Sequence, residues 1–165
     1  MRAYRPKPRD EVARNMAAIR STENKTEVAL RSELHKLGLR FRKYPPNVTG
    51  KPDFVFPSKR VAVFVDGDYW HGRRLLETGS AALAKTLRER PNVDYWLTKF
   101  TRNAQRDEEV SADLVASGWL VIRLWESDVK KNVPVFAERI YRLLQKRTGR
   151  LRNGLIRWPS RKANR

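Results

Sequence analysis

The chain has no cysteine and only two histidines, His35 and His71. Without thiols there are no disulfide staples and no cysteine nucleophile, and two imidazoles alone cannot build a zinc site of the usual Cys/His kind. A catalytic metal would have to rest on oxygen ligands, and carboxylate, carbonyl and water ligation suits magnesium, with manganese as a substitute. No apolar run approaches the roughly 20 residues that a membrane helix needs, and Met1 to Asp10 lack the apolar core of a signal peptide, so a cytoplasmic protein without a membrane partner is expected. Acidic residues are scarce: 18 Asp+Glu stand against 36 Lys+Arg, a formal charge of +18. Such an excess points to a polyanionic partner, nucleic acid above all. At 165 residues the chain suffices for one domain with a real core.

No internal repeat or heptad array is present. What stands out is Val61-Ala-Val-Phe-Val-Asp-Gly-Asp-Tyr-Trp-His71. Val61 to Val65 carry no charge and are mostly β-branched or aromatic, which reads as a strand covered on both faces. It breaks at Gly67 and presents Asp66, Asp68, Tyr69, Trp70 and His71 together, where ligands of open α/β sheets tend to bind. Asp53 to Phe56 reads as a strand paired with it through Pro57 to Arg60, and Leu39 to Tyr44 as a first strand. Val12, Met16 and Ile19 share one face of a short helix from near Asp10. Asn24 opens a second helix with the stripe Leu30, Leu34 and Leu37, and Gly38 falls just past its end.

Residues 72–90 are charge-rich without an apolar face and read as a mobile excursion. Asn92 or Asp94 caps a long helix through Trp96, Phe100, Ala104, Val110 and Leu114 up to Gly118. Trp119 to Trp125 is another buried strand, and Asn132 with Pro134 starts a last helix with Phe136, Ile140 and Leu143 inward. The expected fold is α/β, a small central mixed sheet flanked by helices in a single domain. Its limits are a flexible basic arm at 1–9, a domain at 10–145 with an insertion at 72–91, and a basic tail at 146–165. That tail carries eight basic and no acidic residues and reads as a solvated tail or phosphate clamp.

Seven segments in register carry a family resemblance: Arg14-Asn-Met-Ala-Ala-Ile-Arg20, Thr26 to Arg31, Gly50-Lys-Pro-Asp-Phe-Val55, Phe64 to His71, Tyr95-Trp-Leu97, Asn103 to Asp107 and Gly118 to Glu126. Together they resemble the very short patch repair (Vsr) DNA mismatch endonucleases. The resemblance implies a restriction-endonuclease-like core and magnesium-dependent nicking of double-stranded DNA beside a T·G mismatch, leaving a 5′-phosphate and a 3′-hydroxyl. It implies a monomer on DNA, in the bacterial cytoplasm at the nucleoid, with repair proteins as further partners.

Carried over by position, the resemblance makes Asp53 and the backbone carbonyl of Val65 the metal ligands and His71 the general base. An imidazole of ordinary pKa near 6.5 takes a proton from water around neutrality. Glu27 and Asp107 match further acidic positions, and with Asp53 and His71 they restore the acidic-histidine pattern of related Vsr-like homing nucleases. Met16, Tyr69 and Trp70 match residues that wedge between base pairs, a distortion that a weakly stacked mismatch makes cheaper. Arg14, Arg20, Arg73 and Arg74 are candidate phosphate contacts. Typical members hold a structural zinc, but here the corresponding positions carry Asp68, Arg73, Leu75 and Ser127, so no structural zinc is expected and an Asp68 to Arg73 ion pair is expected in its place.

Each assignment has a structural competitor. Glu27 stands where a capping box from Asn24 would put it, Asp53 can end a turn, and Met16 and Trp70 can belong to the core. Asp107 can pair with Arg102 or Arg106 on a helix surface, while His35 reads as solvated. Two other functions also fit the residues: a homing or restriction-type nuclease acting on matched DNA, and a DNA-binding relic without catalysis.

Overall fold

The computed structural model describes residues 24–68, 71, 73–87, 93–146 and 153–158; at Arg74, Leu75, Thr86 and Leu87 it describes the backbone alone. Asn24 caps the first helix, α1 (Lys25–Lys36), its side chain accepting the Thr26 N–H at 3.0 Å. This satisfies one of the amide groups that a helix start leaves without a partner. Leu30 and Leu34 are fully buried on one face of α1.

Strand β1 (Phe54–Phe56) turns through a short 3₁₀ segment, Pro57–Lys59, into β2 (Val61–Asp66). The two are antiparallel, with Phe54 opposite Val63 and Phe56 opposite Val61. Strand β3 (Leu120–Trp125) lies parallel to β2, and β4 (Gly154–Trp158) parallel to β3, in the order β1-β2-β3-β4. The mixed sheet with helices on both faces is the expected restriction-endonuclease-like arrangement. Every residue of β2 and β3 is buried, as their apolar runs, broken only by Asp66 and Arg123, require of strands covered twice.

The two faces are divided by the alternation of the strands. Val61, Val63, Val65, Leu120, Ile122 and Leu124 face the main core, built with α1, α4 (Glu126–Lys131) and α5 (Val133–Lys146), from which Val129, Phe136 and Ile140 enter. The alternate set, Ala62, Phe64 and Val121, packs with Val55 and Val48 against Leu114 of the long helix α3 (Val93–Ala116). Helix α2 (Arg73–Leu87) lies against α3 through Leu83 and Phe100. Burying each such Leu, Val or Phe contributes about 1.5–3 kcal/mol before chain entropy is set against it. Among the described residues no helix is long and apolar enough to cross a membrane.

Three expectations are corrected. Leu39 to Tyr44 forms no strand; a single bridge joins Arg42 to Val55, because Tyr44 takes a left-handed backbone (φ 45°) and Pro45-Pro46 follows, which ends any ladder. Residues 73–87 are helical rather than an excursion, with a break at Gly79 (φ 82°, ψ 168°), and Leu83 supplies the apolar contact. The basic tail supplies β4: Ile156 and Trp158 pack on the main core, while Arg157 reaches Glu108 at 2.7 Å. Period-two alternation within Leu155-Ile-Arg-Trp158 was the signal, masked by the charges around it. The helix expected around Val12, Met16 and Ile19 lies outside the described residues.

Candidate active site

Strand β2 ends at Asp66, which falls on the α3 side of the sheet with Ala62 and Phe64, and Arg123 of β3 falls on the same side beside it. Both are 3% exposed. Arg123 grips Asp66 with two parallel hydrogen bonds, Nε to Oδ2 at 2.7 Å and Nη2 to Oδ1 at 2.6 Å. Its Nη2 also lies 3.2 Å from Asp107 Oδ1, and its Nη1 donates to the Asp107 carbonyl at 3.2 Å and to Ser111 Oγ at 3.3 Å. A buried guanidinium is tolerable only when its donors are met in this way. The surrounding carboxylates keep it charged, raising its pKa against the effect of burial.

Asp107 sits on the buried face of α3, where Ser111 and Leu114 continue the stripe one and two turns on. Its Oδ2 lies 2.6 Å from Nδ1 of His71, and Asp66 Oδ1 lies 3.6 Å from the same nitrogen. Burial works to raise the Asp107 pKa, but the His71 hydrogen bond and Arg123 hold it below the usual carboxylate range. Asp107 is therefore an acceptor, His71 donates through Nδ1, and Nε2 is left as the basic nitrogen. Burial works to lower the His71 pKa, yet the Asp107 bond and the nearby Asp66 charge raise it above its ordinary 6.5. The imidazolium is stabilised and its ring direction fixed.

Asp53 enters from the start of β1. Its Oδ2 accepts the Val65 N–H at 2.7 Å, so the two residues expected to share a metal are in contact. Burial first, then the charge of Glu27, pushes the Asp53 pKa from 3.8 up to about 7, with the Val65 N–H offsetting part of the rise. Glu27 projects from the first turn of α1, and its Oε2 accepts the hydroxyl of Tyr44. The cap of α1 is made by Asn24 alone with Thr26, and Glu27 turns to the site. Glu27, Asp53, Val65, His71 and Asp107 thus line one cleft of about 550 Å³, together with Lys51, Arg106 and Arg123.

Two sets of ligand atoms in this cleft come into question for a cation. Asp66, His71 and Asp107 bring theirs within 4.8 Å of one another, but Arg123 occupies both oxygens of Asp66 and already compensates its charge. Asp53 differs. It is a partly buried carboxylate beside a second acid, with one amide hydrogen bond in compensation, and such a group is costly unless a cation neutralises it. Its oxygen donors fit a hard divalent ion.

The expected ion pair between Asp68 and Arg73 is present at 2.9 Å. Ser127 joins it, donating to Asp68 through its amide at 2.9 Å and its hydroxyl at 2.7 Å, and Asp128 Oδ2 lies 2.8 Å from Arg73. Arg73 also bonds Glu77 at 2.7 Å and covers the Trp125 ring. Burial tends to raise Asp68, but the bonds from Ser127 and Arg73 hold it low. Arg73 was also expected to bind DNA phosphate; its guanidinium here meets Asp68, Glu77 and Asp128. Met16, Tyr69, Trp70, Arg14 and Arg20 lie outside the described residues, as do the side chains of Arg74 and Leu75.

Arg123 and Tyr44 were not singled out from the sequence, and Asp66 was named only among the residues presented at the end of its strand, with no role given. Arg123 had a readable signal, since a lone charge inside the apolar run Leu120 to Trp125 must be paired if buried. Tyr44 had none, because its partner lies across an irregular loop.

The family model for DNA mismatch endonuclease Vsr matches residues 3–76. The chain is similar to type II nicking enzyme V.NmeDIP of Neisseria meningitidis serogroup C, 39% identical over 81% of this chain and 86% of that protein. It is similar to type II nicking enzyme V.NaeI of Lentzea aerocolonigenes, 39% identical over 70% of this chain and 68% of the relative. Similarity to DNA mismatch endonuclease Vsr of Escherichia coli K12 is 32% identity over 69% of this chain and 68% of that protein.

Proposed function

The chain belongs to the Vsr family of DNA endonucleases, and we propose that it nicks duplex DNA at or beside a T·G mismatch by magnesium-dependent hydrolysis with His71 as general base. The observation that carries the reading is the His71 to Asp107 contact at 2.6 Å, opening on the same cleft as Asp53.

In this reading the Nε2 of His71 takes the proton of the attacking water while Nδ1–H stays on Asp107, which stabilises the imidazolium that forms. Asp107 is in turn aligned by Arg123, and Arg123 by Asp66. A divalent cation held by Asp53 and the Val65 carbonyl would neutralise charge on the scissile phosphate. Glu27 lies close enough to Asp53 to raise its pKa, and so adds negative potential for that cation. Arg14, Arg20 and Arg74 serve as phosphate contacts, and Met16, Tyr69 and Trp70 as wedges whose insertion a mismatch makes cheaper. The Asp68, Arg73, Ser127 and Asp128 network ties the ends of β2 and β3 to the start of α2 beside His71 and makes a structural zinc unnecessary. Metal analysis of the purified protein should find no stoichiometric zinc.

The test is cleavage of matched and T·G-mismatched duplexes with each strand end-labelled. Nicking of one strand confined to the mismatched duplex supports mismatch repair. Cutting of fully matched DNA at a fixed sequence would move the protein to a restriction or homing role, and binding without cleavage would refute the endonuclease mechanism.

A further inference from the structure

The approach to the cleft is a loop under unusual backbone constraint. Between Arg42 and Asp53 the chain takes a left-handed conformation at Tyr44 (φ 45°), Gly50 (φ 79°) and Lys51 (φ 54°). At Gly50 a β-carbon would come 2.2 Å from Val110 Cγ1 and 3.5 Å from the Phe64 ring, so the loop backbone lies directly on α3 and β2. That contact fixes where Lys51 stands. Lysine has a β-carbon and disfavours the left-handed region, which glycine enters freely. Residues kept in such conformations concentrate at ligand clamps and active sites.

Lys51 stands two positions before Asp53 and lines the cleft with Glu27, Val65 and His71. Three lining residues are basic, Lys51, Arg106 and Arg123. Arg123 is committed to Asp66, and Arg106 flanks from α3. Lys51 is exposed, and among the described residues its ammonium is engaged in no ion pair or hydrogen bond. The same cleft carries the carboxylates of Glu27, Asp53, Asp66 and Asp107. A polyanion brought against so many acids meets repulsion unless a cation faces it at the rim, and a flexible lysine serves there as a point charge for phosphate.

We propose that Lys51 grips a backbone phosphate of the DNA strand that enters the Asp53 cleft, and so touches the substrate as a positioning cation of the nicking reaction. The inference rests on the endonuclease reading above. Gly50 packs on Val110, one turn after Arg106 on α3, so the loop brings Lys51 to the cleft that Arg106 also lines.

The test compares wild type with Lys51→Met, Lys51→Arg and Lys51→Gly in the full chain, on a T·G duplex and on a set of duplexes each carrying one uncharged methylphosphonate. For Lys51→Met we expect nicking to fall about 10- to 100-fold, Lys51→Arg to recover most of it, and the slope of log affinity against log salt to drop by about one, the value of one phosphate contact. One methylphosphonate position should weaken wild type and leave Lys51→Met no weaker. Lys51→Gly should melt at the same or a higher temperature while nicking as poorly as Lys51→Met, which separates the charge from any folding role. Wild-type nicking and an unchanged salt slope in Lys51→Met, or losses that add at every methylphosphonate position, would overturn the proposal. If wild type nicks no duplex, the endonuclease reading fails by itself, and the salt slope and methylphosphonate binding still decide whether Lys51 holds a phosphate.

Discussion

Nδ1 of His71 and Oδ2 of Asp107 lie 2.6 Å apart across 36 residues of sequence, one in the turn that follows β2 and the other on the buried face of α3. The relationship fixes which nitrogen is basic and predicts a pH dependence. A His71 pKa raised above 6.5 means that the neutral, proton-accepting ring dominates only above that value, so nicking is lost as the pH falls through it. Asp107→Asn keeps an acceptor and removes the charge. Its maximal single-turnover rate should fall roughly 10- to 100-fold, and its acid limb should move to lower pH. An unmoved limb would remove His71 from the role of base.

Asp53 predicts a stability measurement. Its folded pKa of about 7 lies above the value of 3.8 for a free side chain. The sign follows: the folded state binds the proton more tightly, so the contribution of Asp53 is most favourable below pH 4 and is lost as the pH rises through about 7. In EDTA, Asp53→Asn should therefore exceed wild type in stability at pH 8, by on the order of a few kcal/mol, with the difference closing near pH 4. Magnesium should raise the melting temperature of wild type and leave Asp53→Asn unmoved. Denaturant titrations at the two pH values check this, and a constant difference would show that the carboxyl is not held in a cation-poor burial.

Arg123 carries the third prediction. Its removal leaves Asp66 and Asp107 as buried charges with no guanidinium between them. Arg123→Met should cost about 3–5 kcal/mol, the range for breaking a buried pair, and adding Asp66→Asn should return part of it. Equal stability of single and double variants in urea would show that the pair is not coupled.

Most of the sheet was legible because β2 and β3 are apolar runs broken only by Asp66 and Arg123, and α1 because Asn24, Leu30, Leu34 and Gly38 give its cap, stripe and stop. The strand β4 was hidden within a run of arginines, and α2 by a composition in which, among the described side chains, Leu83 is the buried apolar one. In the site, Asp53, His71, Glu27 and Asp107 were found through family positions. Asp66 with Arg123 was not, since two residues 57 apart reveal a bidentate pair only once β2 and β3 lie side by side.

Gly50 gives a prediction on the loop that carries Lys51. Gly50→Ala would drive a methyl group into Val110 from a backbone conformation that alanine disfavours. It should destabilise by about 1–3 kcal/mol as an overpacked contact, and Val110→Ala should relieve the steric part and leave the backbone part. Thermal melts of the two singles and the double variant check this; simple additivity would show that the contact is absent in solution.

The proposed hydrolysis takes place at the cleft of Asp53 and His71. The most direct measurement is single-turnover nicking of an end-labelled T·G duplex by wild type, Asp53→Ala and His71→Ala, each with magnesium and with EDTA, alongside binding of the same duplex. The expected result is nicking by wild type in magnesium alone, about 10²- to 10⁴-fold slower nicking by His71→Ala, none by Asp53→Ala, and retained binding by both variants. Undiminished nicking by either variant, or by wild type in EDTA, would contradict the account.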